Sequence, residues 1–301
     1  MGEKDLAQKT LEDYNDVFAD IVNGCLFGGK EIIHEDDLEQ ETQESVYKAD
    51  ERLREQRRDV AKLWKHNQIR LALIGLENQL EIDKYMPIRI MSYDAACYRD
   101  QLNKQMILDE TTGKLVLRKN PTPIYPVFTL VLYFGNIPWK QYKTLLETIS
   151  TVPELKPYLN DYKINVVEVA FLTQEKINRF KSDFKIVADY FVQSRINKDY
   201  IPAPQTIKHV NEVLRLLAIF AGDNRFEEII NLIPKGELTT MSNILDKIEA
   251  RGEARGEARG KFDFAYKLIR KGRLTVEEAA EDIGISINEL LAQFKQYNLV
   301  L

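Results

Sequence analysis

The stretch from Arg57 to Gln79 constrains the fold more than any other, because it reads as two β-strands joined by a short polar turn. Asp59 to Lys65 alternates as a half-exposed strand does, whereas Ile69 to Leu76 is apolar on both parities, the pattern of a strand covered on both faces. His66 to Gln68 marks the turn. With a three-residue loop, Asn67 to Ile69, His66 faces Arg70 and Asp59 sits opposite Glu77, Cβ to Cβ about 5 Å. Gln79 shares that face and Asn78 points to the other. The pairing rests on the loop length, since a slip of one residue exchanges the two faces.

Two carboxylates side by side on a largely apolar hairpin disfavour each other's ionisation unless a cation lies between them, and a divalent metal is such a cation. An Asp on one strand, Glu-x-Gln closing the next and an apolar run leading into that Glu together resemble the active-site signature of the PD-(D/E)XK nuclease superfamily. More narrowly, Arg58-Asp59-Val60, Gly75-Leu76-Glu77-Asn78-Gln79, and Met86-Pro87-Ile88-Arg89 followed by Tyr93-Asp94-Ala95-Ala96-Cys97-Tyr98-Arg99 resemble the Rpn family of recombination-promoting nucleases and putative transposases.

The resemblance implies a restriction-endonuclease-like α/β fold, a mixed sheet flanked by helices, followed by an α-helical C-terminal region. It implies a Mg²⁺-dependent endodeoxyribonuclease, with Mn²⁺ as a substitute metal, linked to DNA recombination or mobile elements. Asp59 and Glu77 are then the metal ligands, with a backbone carbonyl near Asn78, and Gln79 orients the attacking water. Superfamily members bring an acidic residue from the first helix to the metal, and Asp20 is the candidate for that place, against the alternative of a solvated carboxylate. Gln79 stands where the superfamily carries Lys, so it brings no positive charge to lower the pKa of the water. That departure keeps a second reading open, in which the chain is a weak or inactive nuclease-like module that associates with DNA or with protein.

Charge bears on the partner. The net charge of −5 gives no broad attraction to DNA, whose binding depends on neutralising phosphates. Between Lys48 and Arg70, however, eight basic residues stand against four acidic ones. Arg57, Arg58 and Lys62 in that window, with Arg99 further on, are the candidate DNA contacts; a solvated charged face is the alternative. No run approaches the ~18 apolar residues of a membrane span and the N-terminus has no signal-peptide pattern, so a cytoplasmic protein without a membrane partner is expected. Cys25, Cys97 and the three histidines, His34, His66 and His209, are too scattered for a zinc cluster, and no small-molecule cofactor is expected.

The rest of the chain supplies a scaffold. Tyr14, Val17, Phe18, Ile21 and Val22 recur at helical spacing between Leu11 and Asn23, with Gly24 and Gly28-Gly29 as the stop. The acidic segment from Glu31 to Glu44 reads as loop and short helix, and Glu44 to Ala49 as a first strand. Asp83 caps a helix from Met86 to about Met106, with Pro87 in its first turn. Asp109 to Pro121 reads as loop, Pro126 to Gly135 as a buried strand, and Ile164 to Leu172 as an edge strand. Helices follow at Phe184 to Arg195 and Thr206 to Ala221. The expected division is a nuclease-like domain over 1–175, a helical extension over 176–248, a spacer over 249–260 and a helix-turn-helix-like unit over 261–301.

The spacer is Glu-Ala-Arg-Gly three times over. A four-residue period stacks like charges at i, i+4, and each interior Gly costs about 1 kcal/mol against Ala, so the segment reads as a flexible link or as a helix sheltered by a partner. Beyond it, Thr275 with Glu278 and Ser286 with Glu289 make two capping boxes around a turn at Gly284. Its acidic first helix suits packing or homo-oligomerisation as well as DNA contact.

Overall fold

Alternating and continuous apolar runs in the first part of the chain build a mixed α/β architecture around a five-stranded sheet. This computed structural model describes residues 11–41, 44–49, 52–57, 59–66, 69–196, 200–234 and 237–299, the side chains of 44–57 excepted. In chain order the strands up to Glu168 are β1 (Leu38–Gln40), β2 (Glu44–Ala49), β3 (Arg52–Arg57), β4 (Val60–His66), β5 (Ile69–Gln79), β6 (Met106–Leu108), β7 (Leu115–Leu117), β8 (Val127–Tyr133) and β9 (Asn165–Glu168). The sheet runs β1-β4-β5-β8-β9, antiparallel from β1 to β5 and parallel from β5 to β9. β5 and β8, apolar on both parities, lie in the middle and bury Ile74, Leu76, Leu130, Val131 and Leu132 completely.

The hairpin register at the polar end is the one expected, reached by a different route. Val60 pairs with Leu76 and the same offset holds to Trp64 and Ala72, an offset that, carried one step past the last pair, sets Asp59 against Glu77. Near the turn Lys65 pairs with Arg70 and His66 with Ile69. The loop is therefore residues 67–68 rather than three residues, and Leu71 is the extra residue of a β-bulge that restores the offset. β4 is also less exposed than its alternation suggested, with Val60 to Leu63 all buried.

Other expectations are corrected at the margins. The strand beside β4 is Leu38–Gln40, taken from the segment read as acidic loop; β2 pairs with β3 in a separate hairpin. β6, just ahead of the stretch read as loop, and β7, within it, form a hairpin that turns at Gly113 with φ 66°. The first long helix, α1 (Asn15–Leu26), runs past Gly24. There a Cβ would sit 2.3 Å from the Phe180 ring, so that glycine serves close packing; Gly28 and Gly29, both at positive φ, end the turn instead. α2 (Met86–Asn103) carries Pro87 in its first turn and packs Ile90 and Tyr93 toward β8. Helices α3 (Phe184–Ile196), α4 (Val210–Ala221) and α5 (Asn224–Ile230) complete this part.

The chain divides into two compact units after Thr239. In the second, α6 (Met241–Arg270) is one helix that contains the whole Glu-Ala-Arg-Gly repeat, so of its two readings the structure takes the helical one. The weak repeat is held by its continuation: Phe262, Ala265, Tyr266 and Ile269 pack with Leu290 and Phe294. Among the described residues, and apart from the helix's own backbone, nothing lies within 4 Å of a Cβ built on Gly252, Gly256 or Gly260. α7 (Val276–Ile283) and α8 (Ile287–Gln296) follow, each opened by its capping box, with Gly284 left-handed at the turn.

Candidate metal centre

The polar end of the β4–β5 hairpin gathers acids from three parts of the chain. Glu77 and Asn78 come from the last turn-free residues of β5, where the two-faced apolar strand becomes polar and its parity sends neighbouring side chains to opposite faces. Asp59 enters just before β4, and Glu12 lies ahead of α1. All four are buried: Glu12 is 0% exposed, Glu77 2%, Asn78 5% and Asp59 9%.

Their contacts form a chain. The backbone N–H of Asn78 donates to Asp59 Oδ2 at 2.7 Å, locking the Asp against the strand. The Asn78 side-chain amide donates to Glu12 Oε2 at 2.6 Å. Burial pushes the Glu12 carboxyl well above the usual carboxylate range; the Asn78 hydrogen bond opposes this, and the charges of Asp59, Asp13 and Glu77 add to it. On the other face of β5, Glu77 Oε1 accepts from Gln79 Nε2 at 3.3 Å and from the guanidinium of Arg89 on α2. Arg89 also reaches Asp83 Oδ2 at 3.2 Å. Burial works against the Arg89 charge, but Glu77, Tyr93 and Asp83 outweigh it and hold the guanidinium protonated.

Of the expected site residues, Gln79 touches Glu77, and Asp59 is held on the backbone of Asn78 between them. Asp20 does not join them: both its oxygens accept from the backbone amides of Lys181 and Ser182, where it closes a turn. The acidic residue that does approach is Glu12, which sequence reasoning passed over. Glu12, Asp16 and Asp20 are spaced four apart, and Asp16 is taken by Lys208 at 2.8 Å.

Lys62 is also corrected as a DNA contact. It is 1% exposed, and its Nζ donates to Asp13 O and to Asn15 Oδ1 at 2.6 Å each, fastening β4 to the start of α1. Arg99 is exposed on α2. Asp94, its neighbour in the motif, is buried and accepts from the hydroxyls of Thr129, at 2.9 Å, and Tyr162. The Arg57 side chain and all of Arg58 lie outside the described residues. Cys25 and Cys97 are free, half-buried thiols, and burial pushes that of Cys25 up to about 12.

Whether these residues suit a metal is decided by their oxygens. Glu12 Oε1 and Asn78 Oδ1 are buried and accept no hydrogen bond among the described residues. Desolvated hard acceptors of this kind, beside the carboxylates of Asp59 and Glu77, are the donors that Mg²⁺ or Mn²⁺ takes. Among the described residues no three His, Cys, Asp or Glu side chains are already spaced around one point. Arg89 holds Glu77 and the backbone N–H of Asn78 holds Asp59. The donor chemistry fits a divalent cation that replaces Arg89 at Glu77.

Residues 29–219 match the model of the family described as putative transposase, YhgA-like. No curated protein and no solved structure matches the chain.

Proposed function

The chain belongs to the YhgA-like putative transposase family, and from that premise we propose that it is a metal-dependent endonuclease that hydrolyses phosphodiester bonds in DNA, serving recombination or a mobile element. The observation that carries the proposal is the burial of Asp59 and Glu77 at the polar end of the hairpin, Asp59 held by the backbone N–H of Asn78 next to Glu77, with Glu12 brought in by a hydrogen bond from the Asn78 side chain. Burying three acids close together is costly, and a divalent cation would offset that cost for more of them than the Arg89–Glu77 pair alone.

Asp59 and Glu77 would hold the metal, with Glu12, hydrogen-bonded to Asn78, adding negative charge near them. When bound, Mg²⁺ supplies Lewis-acid polarisation of the scissile phosphate and a lowered pKa for the attacking water. Asn78 fixes the ligands by gripping Asp59 through its backbone and Glu12 through its side chain. Gln79, beside Glu77, is placed to orient the water by hydrogen bonding, and a neutral amide leaves the proton to a carboxylate. Arg99, with Arg57 and Arg58, remains the proposed set of DNA contacts.

The test is cleavage of plasmid DNA with Mg²⁺. Asp59→Asn and Glu77→Gln each lower the rate about 10³-fold or more while leaving the fold intact, as loss of a principal electrostatic group does. Cleavage by both variants at the wild-type rate overturns the assignment. The Arg89–Glu77 pair favours a second reading, an inactive nuclease-like scaffold in which the guanidinium takes the cation's place for good. That reading predicts no divalent-metal binding at all.

A further inference from the structure

The sequence leaves a gap at Gln79, where the superfamily pattern has a cation and this chain has a neutral amide. The structure puts a cation at the same carboxylate from elsewhere. Arg89, on the first turn of α2, contacts Glu77 Oε1, the oxygen that Gln79 Nε2 also touches. Building on the metal-site assignment above, we propose that Arg89 is a gating cation: it neutralises Glu77 while the metal is absent, yields the carboxylate when a divalent ion binds, and then faces the DNA phosphate.

Three features argue for a gate rather than a fixed brace. Glu77 is almost wholly buried, whereas 39% of the Arg89 side chain is exposed, so the acid is stationary and the guanidinium has solvent to move into. Asp83, 28% exposed and at 3.2 Å, offers the guanidinium a second carboxylate that keeps it at the site once Glu77 is taken. A planar guanidinium also pairs with carboxylate and phosphate in the same bidentate geometry, so one group serves both states. By contrast Lys62 on β4 is 1% exposed, held by two oxygens from the start of α1, and has no solvent to move into.

Gating has a signature that bracing lacks: opposite changes in metal affinity and in DNA handling. Calorimetric titration with Mn²⁺ alone on the full chain, as wild type, Arg89→Gln and Arg89→Lys, reads the first. Removing a competing charge-assisted pair makes Mn²⁺ binding to Arg89→Gln about tenfold tighter or more, with Arg89→Lys in between. Cleavage kinetics at saturating Mn²⁺ read the second: KM for DNA rises several-fold in Arg89→Gln and is partly restored in Arg89→Lys, whose charge is kept. Thermal melting without metal checks that each variant is folded. Unchanged or weaker Mn²⁺ binding in folded Arg89→Gln, with wild type still binding, overturns the gate and leaves the metal site standing. Absence of Mn²⁺ binding in wild type and both variants overturns both.

Discussion

The polar end of the β4–β5 hairpin and the C-terminal unit solve the same problem, where to put charged groups, in opposite ways. In the C-terminal unit the acids that matter stand at helix N-termini: Glu278 and Glu289 close capping boxes with Thr275 and Ser286, each accepting from the cap's backbone N–H at 2.8 Å. Its core is apolar, built from Ala279, Ala280, Leu290 and Phe294. At the hairpin three acids are buried together and the Glu12 carboxyl is forced toward its protonated form. A fold that can cap and solvate its carboxylates so well elsewhere gains nothing in stability by burying these. Local rules broken at one place and kept at another are where function is to be sought.

If that contrast is right, the two regions respond differently to mutation. The largest effect is at the hairpin and falls on activity: Asp59→Asn or Glu77→Gln removes metal-dependent cleavage with little change in thermal stability. Next in size is Leu290→Ala, which empties a fully buried site in the C-terminal unit and costs about 2 to 5 kcal/mol in denaturant titration, with Mn²⁺ affinity unchanged. A change in metal binding on Leu290→Ala breaks the separation.

Glu12→Gln sharpens the comparison through pH. The folded carboxyl titrates above its unfolded value, so between the two values the native state binds more protons and stability falls as pH rises. The penalty is absent below the ordinary Glu range and fully present above the raised folded value. The amide keeps an oxygen for Asn78 and carries no charge, so the Tm difference in favour of Glu12→Gln grows with pH in metal-free buffer and levels off once the wild-type carboxyl is ionised. Saturating Mn²⁺ reverses the order. A pH-independent difference contradicts the account. The smallest effect is Ser286→Ala, where loss of one cap costs about 1 kcal/mol in thermal unfolding and leaves cleavage unchanged.

How much of this is legible in the sequence depends on the range of the interaction. The offset that sets Asp59 against Glu77 follows from period-two patterning over neighbouring strands, and it survives the error in loop length because the bulge at Leu71 compensates. The capping boxes are local and appear as written. Which acid of the first helical segment meets the site is not local. Glu12, Asp16 and Asp20 share one spacing, but the backbone is extended at Tyr14 before α1 begins, so a helical period does not place Glu12 on the same face as the other two. The one available signal was that Asn78, on the face away from Glu77, required a partner. Lys62 misled because a Lys within an alternating strand reads as the solvated letter, while the oxygens that bury it come from residues 13 and 15, some 47 positions away. Arg89 was visible within a motif, but its contact with Glu77 exists only once α2 folds back over β5.

The most direct measurement of the central claim is the anomalous difference density of a crystal of the full chain soaked with Mn²⁺. The account predicts one strong peak between the carboxylates of Asp59 and Glu77, within about 2.0 to 2.6 Å of an oxygen of each, and the Arg89 guanidinium moved off Glu77. An empty site at saturating Mn²⁺, with Arg89 still on Glu77, contradicts it.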